Sequence, residues 1–221
     1  MQPVIRWDLL ADALAFYQKA GFHYVEAPWI VSREAMDITR PAEAIALWAQ
    51  GGNEGLVGSA EQGFLEMYLR GSLPMNRFLV AASPCFRPSD TNPTRCSLPT
   101  FFKVELGYFL EPGRLGGLLV LQEIALVLRR LAGEFLRKSF PQILGNISEE
   151  PLLSPEERGP LWERQVGDLL IGGAEVGSYG VRKRVREGGP PLAWAFGTGL
   201  AEPRTSWAVG ELSQRGERPT L

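Results

Sequence analysis

The chain has 221 residues, 45% of them hydrophobic, enough for one domain that buries roughly 70% of its unfolded surface without disulfides or metal. Its 25 acidic and 23 basic residues leave a net charge of −2, which excludes an overall field that draws nucleic acid nonspecifically. One histidine, His23, excludes Ser-His-Asp, Cys-His and HExxH chemistry anywhere else, and two cysteines without CxxC spacing, Cys85 and Cys96, fit a reducing, cytoplasmic setting rather than a disulfide scaffold.

Trp7, Leu10, Leu14 and Tyr17 recur at helical spacing between Asp8 and Gly21, which predicts an amphipathic helix over residues 7–19. The apolar run at 22–31 predicts a strand. Pro28 inside it cannot donate to a ladder and marks an edge, a bulge or a subunit boundary. His23 opens that run and reads as structural. Pro41 and the Gly51-Gly52 pair bracket a predicted short helix, after which GLVGSAEQ (55–62) crosses from a strand into a helix ending near Gly71. A strand is predicted at 77–83.

The most apolar stretch, 115–128, is interrupted by Gln122 and Glu123, so 118–138 reads as a long core helix and not a membrane span. Further strands are predicted at 142–147, 167–171, 175–182 and 191–196, with a loop rich in Glu and Pro at 148–159 and a C-terminal helix. Late strands without alternating helices predict an α+β fold, an antiparallel sheet flanked by helices, formed by residues 1–221 as one domain. Arg182, Lys183, Arg184 and Arg186 make one basic run and Arg129 with Arg130 another; each reads as a nucleic-acid patch or as a solvated face.

Two segments carry the chemistry. CFRPSDTNPTRCSLPTFFKVELGYF (85–109) reads as strand, irregular loop and returning strand, with Arg87 at the exit, Phe101 at the re-entry and Glu105 further along. WAFGTGLAEPRTSWAVGEL (194–212) reads as a glycine-bearing strand end running into a helix near Pro203, with Arg204 in its first turn. Two guanidinium forks for phosphate oxygens and an aromatic face for adenine suit bound ATP. As alternatives, the arginines are surface or interface residues, and Glu105 and Glu175 pair with neighbouring arginines.

With these pieces in order, the chain resembles the catalytic core of class II aminoacyl-tRNA synthetases, and the seryl-tRNA synthetases most. GFHYVEAPWIV resembles the first motif, LVGSAEQ the Thr/Ser-X-Glu turn, SPCFRPSD with FFKVELGYF the second motif, AEVGSYGVR the segment ending in a metal-facing strand, and GTGLAEPRT the third motif. The resemblance implies that Arg87 binds the α-phosphate, Phe101 stacks on adenine, and Arg204 covers the other face of adenine and holds the γ-phosphate. It implies that Glu175 and Ser178 hold Mg2+, that Gly197 and Gly199 approach the nucleotide, and that Ser59, Glu61 and Glu105 face the substrate amino group or the ribose. It also implies a homodimer through residues 7–31.

Two positions depart from the pattern: Ser89 stands where the family carries an adenine-reading glutamate, with Asp90 one residue on, and Pro203 precedes the third-motif arginine. The tRNA-gripping arm and anticodon-binding domains of the family are missing from this sequence, which reads as a catalytic core alone. The implied activity is ATP-dependent activation of a small neutral amino acid to an aminoacyl-adenylate, for transfer to a carrier protein, a small molecule or tRNA. The alternative is a silent paralogue acting as a binding or regulatory subunit. No adequate zinc ligand set is present in the sequence.

Overall fold

Helix α1 (Trp7–Lys19) buries Leu9, Leu10, Ala13 and Tyr17, a stripe turned by about one residue from the predicted one, leaving Trp7 outside the core, edge-to-face with Phe102 at 4.5 Å between ring centroids. The computed structural model describes residues 4–41, 44–90, 96–112, 117–150, 156–158, 161–186 and 189–216. For Asp90, 156–158, 161–166, 185–186, 189–190 and 215–216 it describes the backbone only.

The run at 22–31 is not one strand. It divides into β1 (His23–Tyr24) and β2 (Ile30–Ser32), and the chain leaves the larger sheet for a smaller one between them. Pro28 lies at that departure, where its missing N–H costs no ladder bond. Ser32 caps α2 (Arg33–Thr39) by accepting from the Ala35 amide.

Among the described residues, no helix lies between Pro41 and Gly51, where one was predicted. Pro41 instead follows the end of α2, and β3 (Leu47–Trp48) and β4 (Glu54–Leu56) form a hairpin. Its turn holds Gly51 and Gly52 at φ 98° and 70°, which glycine adopts without steric cost. The Arg33 guanidinium lies 4.1 Å over Trp48 and closes this small sheet, ordered β2-β4-β3. Ser59 then caps α3 (Ala60–Leu69).

The larger sheet is built from β5 (Phe78–Phe86), β6 (Thr100–Leu110), β7 (Ile147–Glu150), β8 (Glu156–Arg158), β9 (Leu161–Ile171), β10 (Ala174–Arg186) and β11 (Gly189–Glu202). Its order is β1-β5-β6-β11-β10-β9-β7, with β8 on β9. All neighbours are antiparallel except β1 and β5. The predicted loop at 148–159 therefore contains strand at both ends of its described part, and 151–155 and 159 lie outside the described residues. Residues 142–147 hold a 3-10 turn (Pro141–Ile143) before β7.

Strand side chains alternate across a sheet, and here the alternation separates two cores. Val104, Leu106, Val181 and Ala195 face one side, with α1, α4 (Gly117–Ser139) and α5 (Arg204–Gly216). The predicted core helix is α4, which buries Leu121, Ala125, Leu128, Ala132 and Phe135. Phe109, Leu192, Trp194 and Phe196 face the other side with α3. This is an α+β fold, an antiparallel sheet flanked by helices. No helix among the described residues is long and apolar enough to cross a membrane.

Candidate active site

The odd-numbered residues Phe101, Lys103 and Glu105 of β6, and the even-numbered Phe196 and Thr198 of β11, emerge on the sheet face that carries α3. All except Glu105 line a cavity of about 210 Å3, and Glu105 is buried beside it. Arg87 enters from the end of β5 and Arg204 from the first residue of α5. The two arginines expected to grip a nucleotide therefore share one cleft, with Phe101 between β5 and β11. The Arg87 guanidinium carbon stands 5.4 Å from the Phe101 ring centroid, while Phe102 turns the other way, toward Trp7. That settles which of the two phenylalanines faces the cleft.

Arg87 is aimed by its Nε, which donates to the Gly58 carbonyl at 2.7 Å. Arg204 Nη2 donates to Ser97 Oγ at 3.2 Å and Nη1 lies 3.6 Å from Glu175 Oε1. With Lys103 and Arg182 also in the wall, four cations face this cavity. Glu61 and Glu175 are the carboxylates lining it. The local excess of positive charge suits a polyanion, although the whole chain is slightly acidic.

Glu175 and Ser178 are three residues apart, a spacing that sends side chains to opposite faces of a regular strand. A bulge cures this: Glu175 pairs with Leu170 and Gly177 with Leu169, leaving Val176 as the extra residue. Ser178 Oγ then donates to Glu175 Oε1 at 3.1 Å. Directly across the ladder from Ser178 sits Asp168, which the sequence reading missed. Its Oδ1 is buried without a hydrogen-bond partner. Burial pushes the Asp168 carboxyl pKa up, opposed by a hydrogen bond with Ser178 and reinforced by Glu175 and Glu150.

No group of three His, Cys, Asp or Glu side chains placed to hold a metal occurs among the described residues. Mg2+ takes one or two carboxylates and completes its shell with phosphate oxygens and water. Glu175 and Ser178, both in the cavity wall, supply one carboxylate and one hydroxyl toward that requirement, whereas Asp168 does not line the cavity.

Other residues expected to make contacts pack against or bond to side chains of the protein. Gly197 and Gly199 do not line the cavity. A Cβ on Gly197 would stand 2.7 Å from the Tyr179 ring, and one on Gly199 2.7 Å from the Tyr17 ring. Glycine is required there because two tyrosines pack beneath the strand. Their hydroxyls donate to the Thr198 and Gly199 carbonyls at a bulge where Thr198 pairs with Glu105 and Leu200 with Val104.

Glu61 accepts from Trp194 Nε1 at 2.6 Å and from Arg182 Nη1. Glu105 accepts from Lys103 Nζ at 2.9 Å and from Ser59 Oγ. Both carboxylates are thus already engaged by cations of the protein rather than presented bare to a substrate amino group. Asp90 ends the 3-10 turn Pro88–Asp90, and its side chain lies outside the described residues.

Two described residues of the basic run at 182–186 make contacts within the fold. Arg182 points into the cleft, Arg184 Nη1 lies 3.9 Å from Glu34, and the Arg186 side chain lies outside the described residues. Arg129 pairs with Glu149 and Arg130 with Glu134. Strand period is the signal that would have found Arg182: it lies four residues beyond Ser178 on one face of β10.

A second cavity, of about 190 Å3, adjoins the first and shares Ser59, Glu61, Arg87 and Arg182 with it. Its remaining wall mixes apolar Met36, Ile45, Leu56 and Phe86 with polar Thr39, Arg40 and Gln62. Ser89 also faces this cavity, and its Oγ lies 3.4 Å from the Ile45 amide, which donates to it.

No protein-family model matches the sequence, and no curated protein matches it. Solved structures match the fold. Seryl-tRNA synthetase from Pyrococcus horikoshii, complexed with ATP, aligns over 91% of this chain and 48% of its own at TM-score 0.59 and 17% identity. Cytoplasmic serine-tRNA ligase from Naegleria fowleri, in complex with AMP, aligns over 90% and 48% at 0.59 and 17%. A pyrrolysyl-tRNA synthetase from Desulfitobacterium hafniense aligns over 94% and 66% at 0.58 and 15%. The chain spans about half the length of the two seryl enzymes. Its fold is that of the class II aminoacyl-tRNA synthetase core.

Proposed function

We propose that this chain is a single synthetase-like catalytic domain that binds ATP with Mg2+ and activates a small neutral amino acid, forming an aminoacyl-adenylate and releasing pyrophosphate. The observation that carries the reading is the convergence of Arg87, Phe101 and Arg204 on one cationic cleft, with an acid-sized second cavity opening from it. Solved structures of the same fold hold ATP and AMP.

The chemistry needs no histidine. A substrate carboxylate, with a pKa of about 3.5, is ionised at neutral pH and requires no general base. One of its oxygens bonds to the α-phosphorus, the bond from that phosphorus to the bridging oxygen breaks, and pyrophosphate leaves with the electron pair. The site must align the reactants and neutralise charge. Arg87 serves the α-phosphate, Phe101 the adenine face, and Arg204 the adenine and γ-phosphate. Glu175 and Ser178 would hold Mg2+, which when bound offsets the negative charge of the phosphates. The acceptor is a carrier protein, a small molecule or tRNA. Cys85 and Cys96 are free thiols, in keeping with a reducing, cytoplasmic setting.

Pyrophosphate exchange into ATP, measured across a panel from glycine to phenylalanine, tests the reading. One amino acid or a small group should drive exchange. The panel spans side-chain size, so a response confined to its small members is the expected result. Ser89 favours a second reading, a silent paralogue with a binding or regulatory role: that position faces the acid cavity and offers no carboxylate to the adenine amino group. ATP binding without exchange for any amino acid would establish this reading over the first.

We also propose a homodimer through residues 7–31. Trp7, Tyr24, Trp29 and Ile30 are 60%, 38%, 48% and 52% exposed, and apolar surface clustered in one segment favours association. Light scattering should report a dimer for the wild type and a monomer for Trp29→Glu/Ile30→Glu. A variant that stays dimeric removes this segment from the interface.

A further inference from the structure

We infer that Arg182 is a second guanidinium at the reacting centre: it holds the carboxylate of the acid substrate while Arg87 serves the α-phosphate, and Glu61 is the mount that aims it. The inference rests on the activation reading. In that reaction a carboxylate and a phosphate, both anionic, must meet where the acid cavity joins the nucleotide cavity. Four side-chain-bearing residues line both cavities: Ser59, Glu61, Arg87 and Arg182. Two are cations, and two anions have to be brought together there. Arg87 alone cannot present a fork of donors to both anions, and Arg182, part of whose charge Glu61 offsets, supplies the second set of donors.

The mounting of Arg182 is that of a positioned group. Its Nη1 donates to Glu61 Oε2, and its guanidinium carbon lies 4.3 Å over the Phe196 ring. A guanidinium is a rigid planar fork of donors, so these two contacts set its plane. Glu61 is fixed in turn by Trp194 Nε1 at 2.6 Å, and Trp194 is wholly buried and stacked on Phe109 at 5.7 Å and 4°. The rigid end of that chain is the sheet, and its other end is the junction of the cavities. When one carboxylate oxygen bonds to phosphorus, the other becomes the acyl carbonyl oxygen of the adenylate and stays on the Arg182 fork. Glu61 touches no reacting atom and is a positioning residue.

The test compares two probes by calorimetry, ATP with Mg2+ and 5′-O-(N-glycylsulfamoyl)adenosine, an adenylate mimic that carries the acyl carbonyl but no side chain. Arg182→Lys keeps a cation against Glu61 and loses the fork; Glu61→Gln keeps the shape of the mount and loses its charge. For Arg182→Lys, affinity for the acyl mimic should fall roughly tenfold to a hundredfold, while ATP affinity holds within about twofold. Glu61→Gln should shift the mimic in the same direction by less. Circular dichroism and retained ATP binding certify the fold.

Equal affinity of Arg182→Lys and wild type for the mimic would overturn the inference and leave activation standing, since Arg182 would then only brace Glu61. Parallel loss of ATP and mimic would overturn it as well, by assigning Arg182 to the nucleotide. A wild-type protein that binds ATP but not the mimic, or neither, fails the activation reading itself and this inference with it.

Discussion

Arg87→Ala should lower amino-acid-dependent pyrophosphate exchange about a hundredfold to a thousandfold, the usual cost of deleting one positioned group that meets charge developing in a transition state. It should also remove the thermal stabilisation conferred by Mg2+ and ATP. Arg87 is not a solvent-facing arginine that happens to lie near a cleft. Its Nε is committed to the Gly58 carbonyl, in the turn that opens α3, and its guanidinium lies over Phe101. A guanidinium anchored to the backbone in this way meets a phosphate at little entropic cost, which is the sense in which the site is preorganised.

Arg87→Lys sharpens the experiment. A lysine retains the charge but cannot bridge Gly58 and a phosphate in one plane, so exchange should fall while part of the ATP-dependent shift remains. The shift follows from linkage: a ligand at one hundred times its dissociation constant stabilises the folded state by about 2.7 kcal/mol. An undiminished shift in Arg87→Ala would remove Arg87 from the nucleotide site. A diminished shift with undiminished exchange would show that it aids binding and not the step at phosphorus.

What could be read from residues alone was the part of the fold that is written locally. Arg87, Phe101 and Arg204 stand at strand ends and a helix start, where proline, glycine and the break in apolar periodicity mark the geometry. Their meeting in one cleft follows from the pairings of β5 with β6 and of β6 with β11, which the order of segments suggested and only the fold could supply. The packing of Gly197 and Gly199 was not legible, because a glycine needed for close approach looks the same whether the neighbour is a ligand or Tyr17 and Tyr179 beneath the strand.

Asp168 and Arg182 escaped for a related reason. Each is defined by what lies across a ladder: Asp168 opposite Ser178, and Arg182 opposite Trp194, the residue that shares Glu61 with it. The Val176 bulge, which brings Glu175 and Ser178 to one face, has no sequence mark of its own. The residues at 41–52 failed as a helix because proline and a glycine pair punctuate hairpins as well as helices, and only the pairing of Leu47–Trp48 with Gly55 and Leu56 decides between them.

The largest stability effect is expected at the same junction. Glu61→Ala should cost about 3–5 kcal/mol, because it strands the Arg182 charge in a site where the two side chains are only 6% and 15% exposed. It also leaves the buried Trp194 N–H without its acceptor. In a chain of this size each kcal/mol moves the melting midpoint by about 2–4 °C, so a fall of roughly 6–20 °C is expected by calorimetry. The double variant Glu61→Ala/Arg182→Met separates pair from packing. With both charges gone, no buried ion remains uncompensated, and the methionine covers part of the Phe196 face that the guanidinium covered. The double variant should therefore be more stable than Glu61→Ala alone, with a coupling energy of about 1–3 kcal/mol in the completed cycle. Additive losses would mean that water reaches the pair and screens it. In that event the rigid mount inferred for Arg182 would lose its energetic basis, whereas the Arg87 and Phe101 side of the cleft, which shares no hydrogen bond with Glu61, would be untouched.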